Sequence, residues 1–587
     1  MKTRMISRPC WIAILLMGAS VVTQGFAQQI GSSAQEKIQQ RGLSAERPGA
    51  QREMLPEIQI EKSPPSTEEL KLPPLQSPSE KGLSSQLKVY VNAINITGNT
   101  VFSGAELSAV VKPYTGRTLT NQELQELRQT LTRYYVDRGY INSGAIIPDQ
   151  ALTGDIIEVR IIEGRLTQIE IIGNDWLRDS YIKERLMIEE DMVLNINELQ
   201  TRIQLLHQDR RIERINAELG AGLRIGESIL RVRVQESRLY DMGLLFNNWR
   251  SPAIGSLVGE VYGGIYNLTG FGDELTARYE LSEGLDDWSA TYSFPLTAYG
   301  TRLGIFYDKS DSDVVEKPFD SLDITAETES YGFILSHPFY QTPTTTFIAS
   351  ILLEKRRSET SLLGMPFSFS PGAENGRTKL TVLRLMQEWI DRSQEQVLSA
   401  RSTFSVGIDA FDATTNSGDI PDGRFFAWLG QFQWVRRLGN TDNQVLIRSD
   451  LQLAAQSLLP LEKFGLGGAT TVRGYRENLF VRDNAWVSSI EFRFPVFRLP
   501  IPGISKGSQD GTVQLAAFYD FGWSENTDQP TFAPRTISSP GIGLRWDPHQ
   551  KIHGEIYWGI ALRKIDTGGE HDIQDSGIHF LLNVQFP

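Results

Sequence analysis

The chain has 587 residues, a formal net charge of −13 and a single cysteine, Cys10. That length calls for several domains. The acidic balance argues against a nucleic-acid partner, which wants a basic stripe, and a lone cysteine excludes an internal disulfide or a thiolate metal site.

The opening "MKTRMISRPCWIAILLMGASVVTQGFA" sets Lys2, Arg4 and Arg8 before an apolar run from Trp11 to about Val22, then closes on small residues at Ala27. Residues 1–27 therefore read as a secretory signal peptide, too short and wrongly flanked for a spanning helix. Cys10 leaves with it, no lipid-attachment cysteine sits at the cut, and loss of three positive charges takes the mature chain to −16. Nothing later approaches the roughly 18 uninterrupted apolar residues of a membrane helix. Export then leads to a soluble secreted protein or to a membrane β-barrel.

Residues 28–85 are polar and proline-punctuated, as in "SPPSTEELKLPPLQSP", which predicts an extended, semi-rigid linker. Within them "SSAQEKIQQRG" has a capping-box spacing (Ser33, Glu36) and a stop glycine, Gly42. Such a helix offers only Ala34 and Ile38 as apolar residues and is too short to stand alone in water. It is either a disordered leader segment or a helix sheltered in a polar cavity.

An internal repeat follows. "INITGN" (94–99) and "IEIIGN" (169–174) align with a shift of 75 residues. Each opens a unit with an alternating strand, a shorter helix ("GAELSAVV", "DSYIKERLM"), a longer amphipathic helix ("NQELQELRQTLTRYYVDRG", "NELQTRIQLLHQDRRI") and two closing strands. Leu124, Leu127, Leu131 and Tyr134 or Tyr135 recur at three- to four-residue steps, which is a core face. The units, 86–164 and 165–237, are predicted as small βααββ domains. A three-stranded sheet of this kind leaves an edge that either accepts an extended peptide or is blocked.

From about Leu239 the pattern changes to strict alternation. "LTARYEL" sets Leu275, Ala277, Tyr279 and Leu281 against Thr276, Arg278 and Glu280. "VSSIEFRF" sets Ile490, Phe492 and Phe494 against Ser489, Glu491 and Arg493, and "GEIYWGIALRK" sets Ile556, Trp558, Ile560 and Leu562 against Glu555, Tyr557 and Arg563. Nine of the eleven tryptophans lie here, and "IHFLLNVQFP" alternates almost to the end, with Pro587 an odd addition. Aromatic girdles and alternating strands point to a barrel in lipid over 238–587. At about 10 residues per tilted strand plus turns, this length yields about 16 strands around an aqueous lumen.

The stretch "GLGGATTVRGYREN" (465–478) crowds Arg473, Gly474, Tyr475 and Arg476 together, an arrangement that needs something to hold the arginines. Downstream, the alternation of "VQLAAFYDFGW" sends Val513, Leu515, Ala517, Tyr519 and Phe521 outward and Gln514, Phe518, Asp520 and Gly522 into the lumen. A carboxylate in a confined lumen is costly unless partnered, and an arginine fork grips it with two hydrogen bonds. Arg473, on a loop folded inward, is predicted to meet Asp520 on the wall.

Val472-Arg473-Gly474-Tyr475 resembles the VRGY signature of the sixth extracellular loop in the outer-membrane POTRA–barrel superfamily, and Phe518, Asp520 and Gly522 match its F-x-D-x-G strand motif. The repeat units resemble two POTRA domains. "RGYINSGAIIPDQALTGDIIEVRIIEGR" resembles the first POTRA domain of two-partner secretion transporters, the TpsB type of haemolysin and filamentous-haemagglutinin systems. The resemblance spans about residue 85 to the C-terminus. It implies a 16-stranded transporter in the outer membrane of a Gram-negative-type bacterium, with periplasmic POTRA domains that bind the N-terminal secretion domain of one large unfolded exoprotein. It further implies a plug formed by the N-terminal helix, and a loop latched through Arg473 and Asp520.

Rival signals are weak. "GISKG" (503–507) matches G-x-S-x-G, but that motif needs a strand before it and a helix after it, and this one sits in a loop. His549 and His553 lie four apart, one face of a strand, without a recognisable zinc pattern. No nucleotide-binding glycine-lysine loop is present. The expectation is no catalytic residue, metal, cofactor or nucleotide. The alternatives are an assembly factor of the same superfamily, which usually carries more POTRA units, and a porin-like channel or a secreted barrel enzyme.

Overall fold

The computed structural model describes residues 34–46, 55, 88–148, 155–186 and 193–586. The expected signal peptide, nearly all of the linker, Ser33, Pro587 and the side chains of Ala34, Glu36 and Ile38 lie outside the described residues.

In the first repeat unit, strand Ala93–Thr97 runs parallel to the last strand, Ile156–Ile162, which pairs antiparallel with Gly144–Ile146. Helices Gly104–Val111 and Asn121–Val136 cover the sheet, burying Leu107, Val111, Leu127, Leu131 and Tyr135 against Val159 and Ile161. Both helices begin in capping boxes, Ser103 with Glu106 and Thr120 with Glu123, which satisfy first-turn amides. A short antiparallel pair, Lys88–Val91 with Arg117–Thr120, is added to the expected pattern. The second unit repeats the order: Arg165–Ile172 lies parallel to Glu227–Glu236, which pairs with Ile212–Ala221, under helices Asp179–Leu186 and Ile196–His207.

The repeated Gly-Asn has a physical basis. Gly98 and Gly173 both have positive φ, and a Cβ on either would stand 2.4 Å from a carbonyl oxygen, of Ile161 or Val234. Asn99 and Asn174 each donate to the carbonyl three residues on, at 2.9 and 2.8 Å. A glutamate at the end of each last strand then collects the turn's free amides. Glu163 accepts from Thr100 (2.7 Å) and Val101 (2.9 Å), and Glu236 from Asp175, Trp176 and Leu177 (2.8, 3.0 and 2.8 Å).

Glu163 also takes the Tyr135 hydroxyl at 3.0 Å. Burial opposes its charge, but the donors from Thr100, Val101 and Tyr135 outweigh burial and hold its pKa below the ordinary glutamate value. Its contribution to stability is therefore fully present above the ordinary glutamate range and is lost as pH falls through the lowered folded value. Glu163→Ala is expected to cost the first unit roughly 3 kcal/mol through amides left unpaired. Thermal unfolding of the helical signal at pH 7 and pH 3 checks this, since the variant should lose part of the wild type's pH dependence in that range, the rest staying with the capping-box glutamates Glu106 and Glu123.

The two units are joined by bonds from Asn195 Nδ2 to the Arg138 carbonyl (3.1 Å), from the Ile196 amide to Gly139 and from Asn142 to Ser228 (2.7 Å). The second unit in turn docks on one rim of the barrel. Arg178 donates to the carbonyls of Gly270 (backbone, 3.0 Å) and Thr269 (side chain, 3.2 Å), Gln208 donates to Pro343 (2.9 Å), and Arg210 pairs with Asp241 (2.9 Å).

Sixteen antiparallel strands, from Tyr240–Asn247 to Ile578–Phe586, close into a ring, not counting the two-residue Met365–Pro366 that extends one hairpin. Closure is by pairing of the last strand with the first, Leu581 with Asn247 through Phe586 with Met242. The alternation sorts the faces: Ile490, Phe492, Ile556 and Trp558 are exposed on the outside, whereas Ser489, Glu491, Arg493 and Tyr557 are buried inside. Leu515 and Tyr519 face out and Phe518 and Asp520 face in.

Two details differ from the sequence reading. The strand expected through Leu562 ends at Gly559, where a Cβ would stand 2.7 Å from the Arg473 backbone, so an inward loop presses on the wall there. Ile560 and Leu562 nevertheless keep their outward exposure. His549 and His553 do not share a strand, because a turn separates Thr536–His549 from Ile552–Gly559.

Candidate functional site

The loop between strands Gln444–Ala454 and Asn484–Arg498 is the sixth on the rim away from the repeat units, and it folds back into the lumen. It closes as a short hairpin, Phe464–Leu466 with Phe480–Arg482. Phe464, Leu466, Val472, Tyr475 and Leu479 are buried in one cluster with Ala485, Val487 and Ile537 of the wall. The loop's base is held on another sector of the ring, where Glu462 accepts from Arg356 (2.7 Å) and Arg384 (2.8 Å).

At the loop tip, Arg473 meets Asp520. Nε and Nη2 donate to the two carboxylate oxygens at 2.8 and 2.9 Å, and the Arg473 backbone amide adds a bond of 3.0 Å. Nη1 reaches Glu491 at 2.5 Å, and Ser489 bridges to Asp520 at 2.6 Å. The guanidinium lies 3.5 Å from the centre of the Phe518 ring, a cation–π contact in a dry setting. Arg473 and Asp520 are 3% and 1% exposed at their side chains, so neither charge is met by water. Arg493 (2.6 Å) and the Tyr557 hydroxyl (3.0 Å) bind the second oxygen of Glu491 and complete the network.

The remaining motif positions are about space and backbone. Gly474 has φ 92°, and a Cβ there would stand 2.7 Å from Ser539 Oγ and 2.8 Å from the Gly559 carbonyl carbon. A Cβ on Gly522 would stand 2.5 Å from Leu466 and 2.8 Å from Val472, so the wall is bare where the loop lands. The Tyr475 hydroxyl donates to the Ser538 carbonyl (3.2 Å) and accepts from the Arg563 amide (3.1 Å).

The second arginine is also held. Arg476 makes a fork to Asp575 (2.6 and 2.5 Å) and reaches Glu316 on the loop after the fifth strand (2.6 Å). The other oxygen of Glu316 pairs with Arg41 at 2.6 Å. Arg41 lies on helix Ala34–Glu46, which sits inside the barrel: Gln40 donates to the Leu479 carbonyl (2.6 Å), Lys37 pairs with Asp566 (2.8 Å) and Ser312 donates to the Ala45 carbonyl (2.7 Å). Gly42 does not stop this helix, which continues to Glu46. A Cβ at Gly42 would stand 2.1 Å from the Phe369 ring, so its bareness serves a close approach. The helix is sheltered, and its last turn meets an apolar cluster, Ala45 with Ile254, Phe319 and Phe369, rather than a wholly polar cavity.

The structure thus brings Val472, Arg473, Gly474 and Tyr475 onto Phe518, Asp520 and Gly522. Sequence reasoning missed Glu491, Glu316, Asp575 and Glu462. Glu491 carried a signal, being an inward acid between inward Ser489 and Arg493. Ser505 of "GISKG" lies in a turn, accepting from the Ile501 amide (2.8 Å) and donating to the Pro548 carbonyl (2.5 Å).

Comparison with known proteins places this geometry. Residues 226–546 match the family described as haemolysin secretion/activation protein ShlB/FhaC/HecB, and residues 89–164 match the POTRA domain, ShlB-type. The outer membrane transporter CdiB of Escherichia coli is 23% identical over 77% of this chain and 76% of its own length. The hemolysin transporter protein ShlB of Serratia marcescens is 22% identical over 68% and 70%. The solved structure of CdiB from Escherichia coli covers 95% of this chain and all of its own, with a TM-score of 0.66 at 21% identity, which is a likeness of fold. A ring of sixteen strands behind POTRA-type units, together with a match over more than half the sequence, makes this chain a member of the ShlB/FhaC/HecB family, the outer-membrane transporters of two-partner secretion.

Proposed function

We propose that the chain exports one large exoprotein, unfolded, from periplasm to cell exterior through the lumen of its barrel. Members of this family secrete partner proteins across the outer membrane, and their POTRA domains lie in the periplasm. The finer reading assigns recognition of the partner's N-terminal secretion domain to the POTRA units at 86–164 and 165–237, and residues 28–85 to a plug helix, at 34–46, with the proline-rich linker that follows it. The exposed edge strands Ala93–Thr97 and Gly144–Ile146 are suited to pairing with an extended segment. The sequence shows no nucleotide-binding glycine-lysine loop, and in this reading folding of the partner outside the cell opposes its return.

The observation that carries this reading is the buried Arg473–Asp520–Glu491 network. It holds a loop across the lumen at a cost in desolvated charge that a passive pore has no need to bear. Its role is a latch: the loop stays fixed to the wall while the plug helix moves out of the path. Deleting residues 89–163 is expected to abolish partner binding while leaving single-channel conductance unchanged. Pull-down with the partner's N-terminal fragment and planar-bilayer recording read the two separately, and retained binding by the deleted protein would refute recognition by the first POTRA unit.

A further inference from the structure

The outer wall carries a charge arrangement that secretion does not use. On the neighbouring strands Thr325–Gln341, Thr345–Leu362 and Arg377–Arg392, outward positions change from apolar to charged toward the external rim. On the middle strand the change falls between Leu353, exposed among the lipid-facing residues, and Lys355. Directly above it stands Arg357, which is opposite Lys379 on the next strand. Like charges facing each other across a ladder are destabilising. Arg357 is relieved by Glu329 at 2.7 Å and, at 3.8 Å, by Glu327. Lys355 and Lys379 have no ion pair among the described residues.

Three cations thus line the upper edge of the apolar band, and among the described residues the carboxylates there, Glu329 and Glu327, pair with Arg357 and not with Lys355 or Lys379. An occupant that neutralises Lys355 and Lys379 must be anionic, and it must also have an apolar part that follows the wall below past Leu353 and Phe333, both exposed. A phosphorylated lipid meets both demands, because phosphate oxygens accept several charge-assisted bonds from lysine and arginine. We propose that Lys355, Arg357 and Lys379 form a binding site for the phosphate groups of an anionic glycolipid in the external leaflet of the outer membrane. The site rests on the family's membrane placement and not on the secretion mechanism, so it would stand even if the lumen latch were refuted.

The test is native mass spectrometry of the detergent-purified full chain titrated with diphosphoryl lipid A, set beside its dephosphorylated form, phosphatidylglycerol and inorganic phosphate. The expected result is saturable binding of the diphosphorylated glycolipid, weakened about tenfold or more in Lys355→Gln/Lys379→Gln and preserved in Lys355→Arg/Lys379→Arg. Inorganic phosphate should not bind, since it lacks the apolar anchor. Equal binding by the wild type and the glutamine variant overturns the site. So does equal binding of the dephosphorylated lipid, and a preference for phosphatidylglycerol overturns the glycolipid assignment. Should the double variant fail to insert, Lys379→Gln alone, which leaves the Arg357–Glu329 pair untouched, gives the same reading at about half the effect in free energy.

Discussion

Replacing Arg473 with alanine is expected to cut export of the partner to about a tenth of wild type or less, while the barrel still inserts in the outer membrane. The physical reason is the burial of the two carboxylates it holds. Asp520 and Glu491 are 1% and 0% exposed, and removing the cation leaves Asp520 buried with the Ser489 hydroxyl and no cation, while Glu491 retains Arg493. Breaking a buried pair costs roughly 3–5 kcal/mol, and at about 1.4 kcal/mol per decade the docked loop loses roughly two to three decades of population. Asp520→Ala acts in the same direction, but less severely, because Glu491 and Ser489 still hold the guanidinium. The double variant should fall short of the sum, since both changes break one network. Partner in the medium, measured against heat-modifiable barrel in the membrane, decides the matter. Normal export from both single variants would remove the latch from the mechanism.

Glu316→Ala is expected to raise the basal conductance of the purified protein in planar bilayers several-fold. One carboxylate neutralises two buried guanidinium groups that come from different parts of the chain, Arg41 and Arg476. Without it Arg476 keeps the fork to Asp575, whereas Arg41 keeps no carboxylate partner among the described residues, only the Thr567 carbonyl at 2.9 Å and the Phe319 ring at 4.9 Å. The loss, roughly 2–4 kcal/mol for a buried pair broken on one side, therefore falls mainly on helix 34–46. Deleting residues 28–60 sets the ceiling, because it removes the helix outright, and Glu316→Ala should approach that conductance. If neither variant conducts more than wild type, helix 34–46 does not plug the lumen.

Much of this architecture could be read before any coordinates. The βααββ repeat was legible because Gly98 and Gly173 mark a backbone turn that tolerates no side chain, and because the helices carry a clear apolar period. The glutamates that close those turns, Glu163 and Glu236, were not legible, since their partners are backbone amides some sixty residues earlier. In the lumen, strand parity alone pointed Asp520 inward and made Arg473 its natural partner. The same parity pointed Glu491 inward, but nothing in a one-dimensional pattern says that two neighbouring strands share a single arginine. Glu316 lies on a loop without periodicity, and only the fold brings it between Arg41 and Arg476. Gly42 shows the opposite failure: a glycine near a helix end suggests a stop, yet its place is set by the Phe369 ring.

The attachment of the second repeat unit to the barrel rim has a mechanical consequence. Its bonds reach the turn at Thr269–Gly270, the turn at Pro343, and Asp241 near the start of the first strand. A body pinned at three points that do not lie on one line has no axis left to swing about. A chain entering the tube would then have to thread past a fixed bracket, along the arc of the mouth served by the later turns, instead of waiting for a door to pivot.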